Sequence, residues 1–198
     1  MAAERNPVRL VVGLGNPGPA YERTRHNAGF WFVDALAQRY AGRFRVDPKL
    51  NAETCQISVD GQPLWLLKPL AFMNRSGHAV ARLAGFYKFP LPTILVAHDE
   101  LDLPPGVVRL KRAGGHGGHN GLRDVIAQCG GNDFLRLRLG IGHPGTAAEV
   151  VDFVLRKAPA SEQALIEQAL DDAVRAFPAV ARGELDKVMN TLHSRAVG

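Results

Sequence analysis

The sequence has little cysteine, no long apolar run and no leader-like start. Two cysteines among 198 residues, Cys55 and Cys129, exclude a fold held together by disulfide bonds. The most continuous apolar runs, such as residues 64–67 and 93–97, are far shorter than the roughly 20 residues of a membrane-spanning helix. Residues 1–7 lack a basic segment followed by an apolar one, so we expect no signal peptide and a cytoplasmic protein.

The composition is that of an ordinary folded domain with a modest basic excess. Hydrophobic residues make up 46% and charged residues 22%, which supplies a core and excludes disordered and collagen-like classes. Lysine and arginine number 24 against 19 acidic residues, which gives a formal net charge of +5. The 21 glycines cluster at residues 13–18, 114–121 and 140–145, so we expect the backbone there to approach a bound molecule.

Short apolar strands alternate with amphipathic helices along the chain. Strands are predicted at residues 9–14, 55–59, 63–68, 93–99, 107–110 and 135–141. Helices are predicted at residues 27–40, 76–87, 121–128, 150–156, 161–177 and 185–193, and the last two form a C-terminal helical segment, 161–193. We expect Ser76 and Ser161 to be N-caps, Pro178 to end a helix, and Asp60-Gly61 to form a hairpin turn. The pattern predicts one α/β domain over residues 1–198, with a twisted mixed β-sheet between helical layers.

Residues 13–18 follow the first strand and have the glycine spacing of a dinucleotide-binding motif. That motif needs a helix opening at its third glycine and an acidic residue at the end of a second strand, about 20 residues later. Here Pro19 follows Gly18, and the later position falls inside the helix predicted at 27–40. We therefore favour a tight turn over a nucleotide site. Such a turn carries polar residues, among them Asn16 and His26, to a strand end where α/β sheets place ligands.

Histidines near predicted strand ends offer either metal ligands or a general base. His116 and His119 are close in sequence, but the chain has no H-E-x-x-H motif and no C-x-x-C pair, so we expect no metal. A general base needs an imidazole whose second nitrogen is held by a carboxylate. His26 and Asp99 both follow strands that can be parallel neighbours, although a turn is the commoner role for an aspartate in such a position. Because there is also no G-x-S-x-G nucleophile motif, attack by water is the simplest hydrolytic chemistry.

Basic residues are concentrated around the second glycine cluster. Residues 109–138 contain six lysines and arginines against two acidic residues, and Lys111, Arg136 and Arg138 are among them. Basic side chains beside exposed backbone N–H groups suit phosphates, so this segment predicts a nucleic-acid-facing surface. Arg136 and Arg138 are two residues apart on one strand, which allows a shared contact. A solvated basic face is the alternative.

Five sequence blocks, in order and with suitable spacing, resemble those of the bacterial peptidyl-tRNA hydrolase family. They are GLGNPGPAYERTRHNAGF (13–30), LKPLAFMNRSG (67–77), AHDELDLPPG (97–106), GGHGGHNGL (114–122) and RLRLGIGHPG (136–145). The resemblance implies a cytoplasmic monomer that cleaves the ester between the peptide and the 3′-terminal ribose of peptidyl-tRNA, without metal or cofactor. Such an enzyme recycles tRNA from stalled or dropped-off translation products.

The resemblance also assigns roles to individual residues. It implies that His26 is the general base, that Asp99 holds His26, and that Asn16 helps distinguish N-blocked peptidyl-tRNA from free aminoacyl-tRNA. It further implies contacts with the peptide or tRNA end for Tyr21, Phe72, Met73, Asn74, His119 and Asn120. From the charge pattern we add Lys111 and Arg138 as tRNA-binding residues.

Two further expectations concern catalysis and motion. An ester attacked by water develops an oxyanion, which the amide groups of Asn16, Asn74 or Asn120, or N–H groups of the glycine loop, can stabilise. The glycines at 140–145 and the short helix after them predict a mobile lid over residues 143–156. The alternative function is a non-catalytic tRNA-binding module of the same fold, which intact His26 and Asp99 disfavour.

Overall fold

Seven strands and six α-helices are present in residues 6–194, the part of the chain that the computed structural model describes. The strands are β1 (Leu10–Gly13), β2 (Arg45–Asp47), β3 (Ala52–Val59), β4 (Gln62–Pro69), β5 (Ile94–Glu100), β6 (Val108–Arg112) and β7 (Leu135–Gly140). The helices are α1 (Ala28–Arg39), α2 (Gly77–Tyr87), α3 (Asn120–Cys129), α4 (Val150–Val154), α5 (Ala160–Ala181) and α6 (Leu185–Ser194). The ends of the predicted domain, including most of the stretch 1–7 considered for a signal peptide, lie outside the described residues. None of the helices in the described range is long and apolar enough to span a bilayer.

All seven strands form one mixed sheet in the order β2-β3-β4-β1-β5-β7-β6. The four central strands, β4, β1, β5 and β7, are parallel, whereas β2, β3 and β6 pair antiparallel with their neighbours. The hairpin between β3 and β4 turns at Asp60 and Gly61, both of which have positive φ, as a two-residue turn of this kind requires. The predictions of an α/β class, a mixed sheet and this hairpin are confirmed.

Helices cover both faces of the sheet. Because side chains alternate along a strand, Leu10 and Val12 of β1 pack with α2 and α3, while Val11 packs with α1 and α5 on the other face. All three are fully buried. This central position explains why the sequence of β1 is apolar throughout instead of alternating. It also fixes the carboxyl ends of β1 and β5 side by side.

Close packing of α1 against the sheet depends on Gly29. A Cβ atom at this position would collide with the carbonyl oxygen of Ala97 and with the backbone of Leu14. Glycine therefore lets the first turn of α1 touch β5 and the end of β1, which brings the turn before α1 close to β5. That turn is a 3₁₀ helix, Arg25–Asn27, and it contains His26.

Several local predictions were wrong. Pro178 does not end α5, which runs on to Ala181 because Phe177 and Val180 are buried against the core. Ser161 lies inside α5, after Pro159 at the N-cap position. Ser76 does occupy the N-cap position of α2, as predicted, but its hydroxyl donates to the carbonyl of Met73, 2.7 Å away, and makes no cap bond. Strand β2 was not predicted, since its three residues are too short for a pattern.

Candidate active site

A cavity of about 360 Å³ opens at the carboxyl edge of the sheet, where β1, β4 and β5 end. Nine of the eleven predicted site residues line it: Asn16, Tyr21, His26, Phe72, Met73, Asn74, Asp99, His119 and Asn120. The other two, Lys111 and Arg138, line a neighbouring polar hollow beyond the glycine loop. The turn after Gly18, which has a φ of +102°, stays irregular until Arg25, so no helix N-terminus is available there for a dinucleotide.

His26 and Asp99 meet as the parallel-sheet argument predicted. The Nδ1 atom of His26 lies 2.8 Å from Oδ2 of Asp99. Asp99 is within β5 and its side chain is almost fully buried, so it serves the site and not a turn. Since a carboxylate only accepts hydrogen bonds, His26 donates from Nδ1 and leaves Nε2 unprotonated. An imidazole in this tautomer can accept a proton from water.

His119 holds the second oxygen of the same carboxylate. Its Nε2 atom lies 2.8 Å from Oδ1 of Asp99. Its Nδ1 atom accepts from the backbone N–H groups of Gly121 and Leu122, at 3.1 and 3.3 Å, and so caps α3. Because Nδ1 accepts, the proton of His119 must be on Nε2, directed at Asp99. The start of α3 therefore determines which tautomer of His119 faces the site.

The two imidazoles and the carboxylate shift each other's charge states. Burial by itself would raise the pKa of Asp99, but the nearby His26 and His119 outweigh it and hold that pKa well below its usual range. For His26 the directions are opposite: burial by itself would lower the pKa, but the charge and hydrogen bond of Asp99 more than compensate, so the pKa of His26 is raised above 6.5. Asp99 is thus a permanent anion that stabilises a proton on His26.

Asn16 is fixed with its NH₂ group free to face the cavity. Its side-chain oxygen accepts from the backbone N–H of Met73, 2.8 Å away. Its own backbone is held on both sides by Asn27, which accepts from the N–H and donates to the carbonyl, each at 2.9 Å. With its oxygen already bonded to Met73, the side chain of Asn16 has its NH₂ group as the donor that it can offer the cavity.

The outer rim of the cavity is more exposed and carries aromatic and amide groups. The rings of Tyr21 and Phe72 meet edge to face, with centroids 6.2 Å apart, and Phe72 is 58% exposed. Asn74 and Asn120 are exposed amides on the loop before α2 and at the first turn of α3. A rim of this kind can contact a flexible peptide or nucleotide end through stacking and hydrogen bonds.

The basic segment divides into buried and exposed parts, although Arg136 and Arg138 line the same hollow, so a shared contact of the two stays a prediction. Arg136 is 2% exposed and donates to the carbonyls of Gly114 and Gly115, so it stabilises the glycine loop from within. The guanidinium of Arg138 bonds Glu100 at 2.8 Å, and Lys111 is exposed beside the same hollow. Sequence alone missed this difference because arginines are usually at the surface.

His98 is buried directly behind the site. Its Nδ1 atom donates to the carbonyl of Asp99 at 2.7 Å, and its ring packs edge to face on His119. Burial, with a smaller effect of His119, lowers the pKa of His98 to about 4. A neutral His98 therefore supports the His26–Asp99 pair without adding a positive charge to it.

The cluster of His26, Asp99 and His119 has the composition of a metal centre, with ligand atoms within 4.8 Å of one another. Each imidazole nitrogen, however, lies at hydrogen-bond length from Asp99. The Nε2 of His119 carries a proton, as shown by its bonds to α3, whereas a metal ligand must be deprotonated. The geometry fits a hydrogen-bonded chain, and the absence of a metal stays a prediction.

Sequence reasoning missed three residues that shape the site. Asn27 was not singled out in the sequence, yet it holds the backbone of Asn16. Glu100 follows Asp99 and neutralises Arg138. Arg25, next to His26, is buried against α4, and the cavity is lined by residues of that helix and by the residue after it: Val150, Val151, Val154 and Leu155. Each of the three is adjacent in sequence to His26 or Asp99, which is the one local signal that could have pointed to them.

Comparison with known proteins agrees with the resemblance of the sequence blocks. The family model described as peptidyl-tRNA hydrolase matches residues 10–197. The peptidyl-tRNA hydrolase of Tolumonas auensis is 58% identical over 189 residues, which cover 95% of this chain and 96% of that one. The peptidyl-tRNA hydrolase of Halorhodospira halophila is 51% identical over 194 residues, 98% of this chain and 100% of that one.

The fold agrees as well. A crystal structure of peptidyl-tRNA hydrolase from Acinetobacter baumannii superposes with a TM-score of 0.93 at 46% identity, and the match covers 96% of this chain and 97% of that one. Both the family model and the relatives span nearly the whole length, including the C-terminal helices for which the sequence blocks gave no match. The chain belongs to the peptidyl-tRNA hydrolase family.

Proposed function

We propose that this enzyme hydrolyses the ester between the peptide and the 3′-terminal ribose of peptidyl-tRNA, with His26 as the general base. The observation that carries the proposal is the 2.8 Å bond between His26 Nδ1 and the buried carboxylate of Asp99, which leaves Nε2 of His26 as the unprotonated nitrogen at the cavity that His26 lines. Family membership supplies the substrate class. The geometry supports the assignment of roles.

The reaction needs two proton-balanced steps, with an oxyanion intermediate between them. His26 Nε2 takes a proton from water as the oxygen attacks the ester carbonyl, and Asp99 stabilises the imidazolium that forms. The resulting oxyanion accepts hydrogen bonds from amide groups that line the cavity, for which Asn74 and Asn120 are placed at the rim. When the tetrahedral intermediate collapses, the ribose oxygen leaves and takes the proton from His26, so free tRNA and a peptide acid are released.

Asn16 explains a preference for N-blocked substrates. Its oxygen already accepts from the N–H of Met73, so the NH₂ group is the part of Asn16 that we expect to bond the substrate. A blocked residue presents an amide carbonyl, which accepts such a bond. A free aminoacyl group instead presents a protonated amine, which has no acceptor and would leave the donor of Asn16 unpaired. We infer that Asn16 reads the first peptide carbonyl.

Phosphates of the tRNA are proposed to bind at the hollow that Lys111 and Arg138 line. Lys111 is exposed, and Arg138 can exchange the carboxylate of Glu100 for a phosphate, which suits its guanidinium equally well. The hollow adjoins the cavity, because Gly117 lines both, so a tRNA end can reach the two together. Tyr21, Phe72, Met73 and His119 complete the contacts with the acceptor end and the peptide.

The proposal includes a monomer that acts in the cytoplasm without metal or cofactor. Activation of water by a His–Asp pair needs no Lewis acid. The pool of peptidyl-tRNA arises from translation, which sets the location. Activity after dialysis against a chelator, together with the sedimentation coefficient, tests the first two points.

The decisive experiment compares release of tRNA from an N-acetyl-aminoacyl-tRNA and from the unblocked form. The wild type should release tRNA from the blocked form much faster. His26→Ala should abolish release while keeping tRNA affinity, and His78→Ala, an exposed histidine of α2, is the matched control. Binding of tRNA without release by the wild type would instead support the non-catalytic module.

A further inference from the structure

We propose that Arg25 is a positioning residue that holds α4 in place as the wall of the peptide-binding end of the active site. The proposal rests on the proposed function, because it assigns α4 to the peptide of the same substrate. Arg25 is adjacent to His26 in the 3₁₀ turn, and it is 6% exposed, which is unusual for an arginine. Its role in the site is therefore not that of a surface charge.

Arg25 contacts the end of α4 through both its backbone and its side chain. Its Nη1 atom donates to the carbonyl of Phe153 at 2.9 Å, and its backbone N–H donates to the carbonyl of Arg156 at 3.1 Å. The guanidinium also lies over the ring of Phe153, 3.8 Å from the centroid. A more distant ion pair with Glu162, at 3.8 Å, connects the same group to the first turn of α5.

These contacts satisfy what a short helix needs at its C-terminus. The last carbonyls of a helix have no partner within the helix, and a cation near them is favoured by the helix dipole. Helix α4 has only five residues, too few to be stable without tertiary contacts. Arg25 supplies a charged donor to Phe153, so the position of α4 is coupled to the turn that contains His26.

The surface that α4 presents to the cavity is apolar. Val150, Val151, Val154 and Leu155 line it opposite the polar groups of His26 and Asn16. Valine and leucine offer no donors for phosphates, whereas they suit the side chains of a peptide. The basic hollow with Lys111 and Arg138 is lined by other elements. We therefore assign α4 to the peptide, and Arg25 sets the width of the groove there.

The same contacts bear on the lid predicted over residues 143–156. The proximal part of this segment contains Gly145 at positive φ, while Arg25 fastens the distal end at Phe153 and Arg156. Motion of α4 thus requires that a buried guanidinium loses its acceptor, which is costly. Under this proposal Arg25 determines how often the wall opens.

The test uses the full-length enzyme with Arg25→Gln and Arg25→Lys, and Arg23→Gln, an exposed arginine of the same loop, as the control. In Arg25→Gln, amide exchange of residues 150–157 should become about tenfold faster, with no change in β1. The KM for N-acetyl-aminoacyl-tRNA should rise about tenfold, while kcat changes less than about threefold and affinity for deacylated tRNA is unchanged. The KM of Arg25→Lys should lie between those of Arg25→Gln and the wild type, since lysine keeps one charged donor but not the planar stacking on Phe153.

The proposal is overturned if the amides of residues 150–157 exchange in Arg25→Gln at the same rate as in the wild type. It is also overturned if Arg25→Gln loses kcat, tRNA affinity and stability to the same extent as its KM rises. If Arg25→Gln does not fold, Phe153→Leu keeps the carbonyl acceptor but removes the ring, and it should give a smaller change of the same kind. Failure of the wild type to release tRNA would refute the proposed function alone, because the exchange measurement needs no substrate.

Discussion

Replacement of Asp99 by asparagine should inactivate the enzyme by reversing the tautomer of His26. Asparagine has the same shape but only one oxygen, whereas two imidazole N–H groups, each 2.8 Å away, now share the carboxylate. The tautomer of His119 is fixed by two backbone N–H groups of α3, so its Nε2–H claims the single oxygen. The NH₂ group of the introduced asparagine then faces His26 and forces Nδ1 to accept, which places the proton on Nε2.

The size of the loss follows from that reversal. An imidazole held in the wrong tautomer cannot accept a proton from water, and such an error costs about 10⁴-fold in rate. Misorientation of an otherwise correct base would cost much less, about 10²-fold. The pKa of His26 should also fall, because the anion that raises it is gone while burial, which lowers it, remains.

The assay is single-turnover release of tRNA from N-acetyl-aminoacyl-tRNA, measured across the pH range in which imidazole titrates. Wild-type activity should fall as the pH drops through a His26 pKa above 6.5, since the base must be neutral. A second variant tests the cause directly. His119→Ser keeps a capping side chain for α3 but cannot reach residue 99, so in the Asp99→Asn background the amide is free to turn its oxygen to His26.

The double variant Asp99→Asn/His119→Ser should therefore be at least about tenfold more active than Asp99→Asn alone. His119→Ser on its own should lose activity, because Asp99 then lacks one of its donors. Equal activity of the single and double variants would refute the tautomer reasoning. A loss in Asp99→Asn of less than about tenfold would refute the pairing itself.

Three further predictions concern stability and binding. As the pH falls, the unfolded chain takes up a proton on His98 near pH 6.5, whereas in the folded protein burial lowers the pKa of His98 to about 4. The free energy of unfolding should therefore fall by about 3 kcal/mol as the pH drops from 6.5 to 4. In chemical denaturation, His98→Asn should remove this part of the pH dependence. Gly29→Ala should lower the free energy of unfolding by about 1–3 kcal/mol, measured with urea, whereas Gly85→Ala in α2, where a Cβ atom meets open space, should not. Lys111→Ala should reduce the slope of log K for tRNA binding against the log of the salt concentration by about 0.7–0.9. The control Arg175→Ala, at an exposed position of α5, should leave this slope unchanged. An unchanged slope in Lys111→Ala would mean that no phosphate binds there.

The meeting of His26 and Asp99 could be predicted because it depends on a general property of parallel sheets. Strands β1 and β5 are both apolar runs followed by polar residues, and neighbouring parallel strands present their carboxyl ends at one edge. The fold class was predictable for the same reason. The role of Asn16, in contrast, came from the family resemblance, since nothing local shows that its oxygen would bond Met73.

The buried arginines could not be predicted, because their partners are backbone carbonyls distant in sequence. Arg25 bonds Phe153 and Arg136 bonds Gly114, and neither acceptor has a side chain that marks it. The prediction that Pro178 ends α5 was wrong for a related reason. Local propensity favours a helix end there, but the burial of Phe177 and Val180 continues α5 through the proline.

The outer strand β6 has a consequence for handling the protein. A strand at the end of a sheet presents unpaired N–H and C=O groups, which invite pairing with a second molecule and aggregation. Strand β6 contains Arg109, Lys111 and Arg112, and like charges on two such strands repel each other. Lys111, which is proposed to bind tRNA, thereby also helps to protect this edge. Charge-removing variants on β6 should therefore be checked by light scattering, because self-association would imitate weakened tRNA binding.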